Sequence, residues 1–261
     1  MQPVMNPVAQ DLHDGVLTLT LNRPEQYNAL SEEVLLAMQH ALDAASHDES
    51  LRCVVINASG RAFCAGHDLK QMQANRDHDY YLQLFRQCGR VMQSIVHLPV
   101  PVIAKVQGAA TAAGCQLVAS CDLAVAAEHA RFAVSGINVG LFCSTPAVAL
   151  SRNVLAKKAF EMLITGEFIS AADALACGLV NRVVPDDLLD MEVANLVASI
   201  KAKSPVAVRT GKAMFHRQRS MSLEDAYDFA ASVMARNMMA EDVHEGIEAF
   251  MQKRQPVWQG R

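Results

Sequence analysis

From Gly15 to Leu21 aliphatic residues and threonines alternate as V-L-T-L-T-L, the period of a strand with one buried face, and a second strand is predicted from Leu51 to Asn57. Between them Ser31 precedes Glu32 and Glu33, and Val34, Leu35, Met38 and Leu42 follow at helical spacing. That pattern predicts a helix capped by Ser31 with acids in its first turn, so the segment reads strand, helix, strand.

A second unit repeats the order. Residues Tyr80 to Val96 read as a helix, Pro99 and Pro101 break it, and Val102 to Val106 is a short aliphatic strand. Small residues from Gly108 to Gly114 form a turn before an apolar helix around Cys115 to Ser120 and a strand from Leu123 to Ala127. From Lys157 onward the pattern is mainly helical: Lys157 to Leu163, Ser170 to Cys177, Leu188 to Lys203, Pro205 to Phe215, and Leu223 to Arg254 with one interruption. One short strand, Val180 to Val184, precedes Pro185. In the helix after Leu188, Leu189, Val193, Leu196, Val197 and Ile200 recur every three or four residues and mark one stripe for core packing. Successive β/α units followed by helices predict an α/β core with a helical C-terminal part, without a low-complexity linker or fixed-period repeat.

At 261 residues and 51% hydrophobic content the chain can bury a large core. Its formal charge of −4 gives no general attraction to nucleic acid or membrane surfaces, so neither is expected as a partner. The seven cysteines (Cys53, Cys64, Cys88, Cys115, Cys121, Cys143, Cys177) include no C-x-x-C pair and suit a reducing compartment. The stretch Met1 to Gly15 is polar, without a basic region leading into an apolar core. Val100 to Ala127, the most apolar stretch, is interrupted by Lys105, Gln107, Gln116 and Asp122, which argues against a transmembrane helix. A cytoplasmic location is expected.

No G-x-S-x-G, H-E-x-x-H, G-x-x-x-x-G-K-[ST] or G-x-G-x-x-G string occurs, and the histidines do not pair with cysteines or acids at metal-ligand spacing. No metal and no permanently bound cofactor are expected. Two turns of small residues stand out instead, each after a predicted strand and before a helix. One is Phe63-Cys64-Ala65-Gly66-His67-Asp68-Leu69-Lys70, and the other is Gln107-Gly108-Ala109-Ala110-Thr111-Ala112-Ala113-Gly114-Cys115-Gln116-Leu117, which leads to Cys121-Asp122. Backbone N–H groups at a helix N-terminus lack intrahelical partners and lie at the positive end of its dipole. Two of them converging on one oxygen would stabilise an oxyanion. Tight strand-to-helix packing explains small residues equally well.

The strings N-R-P-E-Q-Y-N-A-L-S (Asn22 to Ser31), F-C-A-G-H-D-L-K, P-V-I-A-K-V-Q-G-A-A-T-A-A-G-C-Q-L (Pro101 to Leu117), L-I-T-G-E-F-I-S-A-A-D-A-L-A-C-G-L-V (Leu163 to Val180) and E-G-I-E-A-F-M-Q-K-R-Q-P-V-W (Glu245 to Trp258) carry a resemblance spread over nearly the whole chain. In that order they resemble the crotonase (enoyl-CoA hydratase/isomerase) superfamily. The resemblance implies a ClpP-like spiral of ββα units, with a core domain over residues 1–200 that binds acyl-coenzyme A and a helical trimerisation region over residues 201–261. It implies oxyanion-hole N–H groups at His67 and Ala113. It places the coenzyme A adenine against Cys64, Ala65, Asp68 and Leu69, with Phe250 and Lys253 reaching its nucleotide end across a subunit boundary in a homotrimer or homohexamer. The His67 side chain is then incidental to the hole, and the run of bases from Lys201 to Arg219, which includes Lys212, reads as a solvated helix face.

Enoyl-CoA hydratases use two glutamates to activate water and protonate the α-carbon. Aligned on the motifs, these fall on Gln116 and Gly136, neither of which titrates. Gly140-Leu141-Phe142-Cys143-Ser144-Thr145-Pro146 occupies the turn that faces the acyl group in relatives. Cys143 there reads either as a nucleophile favoured as thiolate before a helix or as a buried cysteine with Ser144 or Thr145 as N-cap. Asp68 and Asp122 could supply carboxylates or brace their loops. The F-C-A-G-H-D-L-K string together with F-C-S-T-P-A-V-A-L-S-R-N-V (Phe142 to Val154) is similar to one branch of the family, assigned by homology to enoyl-CoA hydration or fatty acid metabolism. The expected function is that of an enoyl-CoA hydratase-like hydro-lyase. Isomerisation, thioester hydrolysis and noncatalytic acyl-CoA binding are the alternatives.

Overall fold

The computed structural model describes residues 6–261. It opens with a hairpin, β1 (Val8–His13) paired antiparallel to β2 (Val16–Leu21), turning at Asp14 and Gly15, both at positive φ. The polar stretch before Gly15 therefore contains a strand from residue 8 on. Only Val8 of β1 is buried, so an edge strand left no alternating pattern to detect. The part of that stretch before residue 6 lies outside the described residues.

The expected helix follows as α1 (Glu32–Ser46), with the Ser31 side chain accepting from the Val34 amide. It buries Val34, Leu35, Met38 and Leu42, the stripe its spacing announced. Next come β3 (Cys53–Ala58), β4 (Ala62–Cys64), α2 (Leu69–Ala74) and α3 (His78–His97). The same order recurs in β5 (Val102–Val106), β6 (Ala109–Thr111) and α4 (Ala113–Ser120), then in β7 (Leu123–Ala127), β8 (Arg131–Ala133) and α5 (Ser144–Asn153). Each repeat is a ββα unit. The first strand of each enters a six-stranded sheet of order β1-β2-β3-β5-β7-β10, whose last strand β10 is Arg182–Val184, and the second enters a four-stranded sheet of order β4-β6-β8-β9, whose last strand β9 is Ile169–Ser170. This is the spiral of ββα units that the resemblance implies.

Between these sheets and the C-terminus lie α6 (Ala156–Thr165), β9 (Ile169–Ser170), α7 (Ala171–Ala176), β10 (Arg182–Val184) and α8 (Leu189–Lys201). The α8 stripe packs Leu189, Val193 and Leu196 on Cys53, Val55, Ile103 and Val125, covering the outer face of the large sheet. The other face carries the main core, in which α1, α3 and α4 bury their apolar stripes. The chain ends in α9 (Pro205–Gln218), α10 (Leu223–Asn237) and α11 (Glu241–Gln252). No helix of the described residues is long and apolar enough to cross a membrane.

The basic run on α9 is not wholly solvated. Lys212 is 9% exposed, and its Nζ donates to the carbonyls of Ile95 and Val100 and to Asp122. The hydrophobic pattern hid this because a buried lysine reads as polar.

Candidate active site

The two small-residue turns meet because β4 and β6 pair in parallel, Ala62 with Ala109 and Cys64 with Ala110. The chain leaving β4 therefore runs beside the chain entering α4. Glycine makes the contact possible at two positions. A Cβ on Gly114 would overlap the Cys64 carbonyl, so the first turn of α4 rests directly on the backbone of the other turn. Gly66, at φ +91°, lies so close to α4 that a Cβ there would stand 3.2 Å from the Ala113 amide nitrogen. Between them Ala112 holds φ 50° and ψ −118°, a conformation that costs a non-glycine residue about 1–3 kcal/mol.

This arrangement directs two amides. The Leu30 amide donates to the Gly66 carbonyl at 2.7 Å, and Leu30 and His67 form a parallel bridge. In parallel pairing the neighbours of the bridged residue make the bonds to the partner, so His67's own N–H faces away from Leu30. Ala113 opens α4, so its N–H has no acceptor within the helix and sits at the positive end of the dipole. Among the described residues neither amide donates a hydrogen bond, and oriented donors of this kind can stabilise negative charge on an oxygen.

Around them the side chains are mostly buried. His67 Nδ1 lies 3.4 Å from the Leu30 carbonyl oxygen, its ring packs edge-on against Phe85 at 5.5 Å, and Nε2 is buried without a partner. Burial holds this imidazole below its ordinary pKa, with the Leu30 contact opposing the shift. Gln116, one turn beyond Ala113, is 4% exposed, and its Oε1 is likewise buried without a partner.

Gly136 falls in a short 3-10 turn, Ser135–Val139, where a Cβ would stand 2.6 Å from Cys143 Sγ and 2.7 Å from the Leu141 carbonyl oxygen. The thiol thus fills the direction in which a side chain at residue 136 would project. Cys143 itself is the N-cap of α5, without a side-chain capping bond, so neither Ser144 nor Thr145 holds that position. Burial raises its thiol pKa, which opposes the thiolate expected at a helix start.

Asp68 caps α2, accepting from the amides of Lys70 and Gln71, and pairs with Arg23 at 3.8 Å. Asp122 accepts from the Val102 amide and the Lys212 ammonium, and its Oδ1 lies 2.8 Å from His216 Nε2. Both aspartates brace the backbone. Cys64 is fully buried and its thiol pushed up to about 12, so that residue can offer a ligand only its backbone. Ala65 and Leu69 are exposed beside it. Phe250 is 85% exposed near the end of α11, where Lys253 terminates the helix at φ 55°. No hydrogen bond or ion pair among the described residues joins Phe250 or Lys253 to the turn of residues 64–69.

Three contributors escaped the sequence reading. Gln107 Nε2 donates to the carbonyls of Ala58, Gly60 and Ala62, and buried Asn28 donates to those of Ser59 and Ala62, so both hold β4 in place. Both lie inside the strings that carry the resemblance, which was their signal. Phe85 had none, since it sits among the other apolar residues of α3. Among the described residues no group of His, Cys, Asp and Glu could hold a metal ion.

The family model described as enoyl-CoA hydratase/isomerase matches residues 11–261. The chain is similar to a solved enoyl-CoA hydratase of Mycobacterium smegmatis, with 58% identity and a TM-score of 0.95 over 97% of this chain and 98% of that one. It is similar to the solved human enoyl-CoA hydratase domain-containing protein 3, with 45% identity and a TM-score of 0.94 over 97% of this chain and all of that one. Among curated proteins, enoyl-CoA hydratase domain-containing protein 3 of Xenopus laevis is 48% identical over 96% of this chain and 85% of its own length. This is the branch that the Phe142 to Val154 string pointed to. The comparisons correct one expectation: the Xenopus, rat, mouse and human proteins of this branch are named mitochondrial, and the cytoplasmic assignment is withdrawn.

Proposed function

The chain belongs to the enoyl-CoA hydratase/isomerase family, and from that premise we propose that it is an acyl-coenzyme A enzyme of hydratase type, polarising a thioester carbonyl between the amides of His67 and Ala113. The observation that supports this is the contact of the two turns, with Gly114 at the start of α4 seated on the Cys64 carbonyl and Gly66 against Ala112 and the Ala113 nitrogen, which brings the segments carrying both donors together. Enolate charge developing on the thioester oxygen would be met by two oriented N–H dipoles, and the loss of one such donor typically costs about 2.7–4 kcal/mol of transition-state stabilisation.

The substrate is a coenzyme A thioester and no permanently bound cofactor is required. The turn of residues 64–69 would receive the adenine along its backbone and its exposed Ala65 and Leu69. Phe250 and Lys253, exposed and without a hydrogen bond or ion pair to that turn among the described residues, are suited to contact the nucleotide of a neighbouring subunit in a homotrimer or homohexamer, with residues 201–261 forming the association region. Engagement of Asp68 and Asp122 in bracing weighs against an isomerase or thioester hydrolase built on either carboxylate.

The test is incubation with crotonyl-CoA and a panel of saturated and unsaturated acyl-CoAs, measuring binding and product separately. Binding with hydration supports the reading. Absence of binding to every acyl-CoA refutes it. A second reading, a noncatalytic acyl-CoA-binding protein, is favoured by Gln116 and Gly136 at the positions of the hydratase glutamates, and binding without product would establish it.

A further inference from the structure

Resting on the acyl-CoA reading above, we infer that the His67 imidazole is the proton-transfer group of this site, acting through Nε2 on a water held by the Gln116 amide. The inference starts from two orphaned atoms. His67 Nε2 and Gln116 Oε1 are both buried without a hydrogen-bond partner, and they belong to the two segments that supply the amide donors. Buried polar atoms are nearly always paired, and leaving one unsatisfied costs about 1–3 kcal/mol. With Gln107 Oε1, also without a partner, three such atoms lie in the two neighbouring turns, a setting suited to a polar guest.

The His67 ring is held in a defined orientation. Nδ1 faces the Leu30 carbonyl, which can only accept, so the proton belongs on Nδ1 and the lone pair on Nε2. Phe85 packs against the ring and limits its rotation. The lone pair then points away from Leu30. Among the described residues His67 makes no ion pair, and the contact recorded for its ring nitrogens is that of Nδ1 with the Leu30 carbonyl.

Gln116 supplies complementary chemistry. Its amide carries an acceptor and two donors, lies one helical turn from the Ala113 amide, and can orient a water without exchanging a proton with it. Gly136 removes the second carboxylate, and the Cys143 thiol closes the space it would have used. Among the polar groups at the turns, His67 is left as the one able to accept a proton near neutral pH.

For a 2-enoyl thioester the step balances. Water loses a proton to Nε2 as its oxygen bonds to the β-carbon, and the electron pair of the carbon–carbon double bond moves to give an enolate held by the two amides. The imidazolium then returns its proton to the α-carbon, the enolate collapses to the thioester, and the product is the 3-hydroxyacyl thioester. The imidazole is regenerated.

The experiment compares wild-type protein with His67→Gln and His67→Ala, measuring crotonyl-CoA binding, its hydration, and deuterium incorporation at C2 in heavy water. Because the oxyanion donor is the backbone amide of His67, His67→Gln is expected to bind crotonyl-CoA within about tenfold of wild type while turnover and C2 labelling fall about 10²- to 10⁴-fold. Added imidazole is expected to restore part of the turnover of His67→Ala, which a purely structural role would not allow. Hydration by His67→Gln within about threefold of wild type overturns the proposal, as does wild type that binds crotonyl-CoA yet neither hydrates nor labels it. Wild type that binds no acyl-CoA fails at the earlier reading, which binding alone reveals.

Discussion

Lys212 and Asp122 form an ion pair of 2.6 Å that fastens α9 to the turn between α4 and β7. The lysine side chain is 6% exposed and the aspartate 14%, and Nζ also donates to the Ile95 and Val100 carbonyls at the end of α3. Burial lowers the lysine pKa while Asp122 opposes the shift. Removing the lysine leaves the Asp122 carboxylate with only the Val102 amide and His216 beside it, so Lys212→Met is expected to lower stability by about 3 kcal/mol, the low end for a broken buried pair. Asp122→Asn in the same chain should recover part of the loss, and urea unfolding of the single and double variants measures both.

Ala112 stands at positive φ where glycine is preferred. Ala112→Gly is expected to leave stability unchanged or raise it by about 1 kcal/mol, against the usual sign for alanine-to-glycine changes, because the relieved strain offsets the added unfolded-state entropy. Gly114→Ala should act oppositely: its methyl overlaps the Cys64 carbonyl, and pushing α4 off that turn should weaken crotonyl-CoA binding together with thermal stability. Thermal melts with a binding titration check the pair.

Placing the family's glutamate at residue 136 should not raise hydration of crotonyl-CoA. Its Cβ would meet the Leu141 carbonyl oxygen at 2.7 Å, a backbone atom that Cys143→Gly leaves in place. Gly136→Glu, alone or with Cys143→Gly, is expected to lose about 1–3 kcal/mol and show no gain in crotonyl-CoA hydration. A rate increase above wild type in either variant would contradict the packing argument.

Burial raises the pKa of Cys143 and takes those of Cys64 and Cys115 up to about 12. Since the thiolate is the reacting form, the folded protein should alkylate slowly with iodoacetamide at pH 8, and all three residues should react fully only in denaturant. Rapid native labelling of Cys143, read by peptide mass spectrometry, would instead revive the nucleophile reading.

His67 gives the pH dependence. Its folded pKa lies below the ordinary 6.5, so above that value both folded and unfolded imidazoles are neutral and no linkage arises. As pH falls below 6.5 the unfolded chain takes up a proton that the folded protein resists, and stability declines until the lowered folded pKa is passed. Denaturant unfolding between pH 7.5 and pH 5 should show a smaller decline in His67→Gln than in wild type.

Local pattern settled much of this protein. The alternation of Val16 to Leu21, the Ser31 cap and the α8 stripe fixed strand, helix and covering layer, because each depends on residues within one or two turns of each other. The order of strings located the two turns and named His67 and Ala113. What sequence could not supply was the pairing of β4 with β6, the burial of Lys212, and the seating of the Cys143 thiol where a side chain on Gly136 would project. It also could not show that His67 Nε2 and Gln116 Oε1 are left without partners. The β4–β6 pairing and the Lys212 contacts join residues far apart in the chain, and even the local Gly136–Cys143 contact depends on how the backbone turns; hydrogen-bond satisfaction and close approach are properties of atoms brought together by folding rather than of their spacing along it.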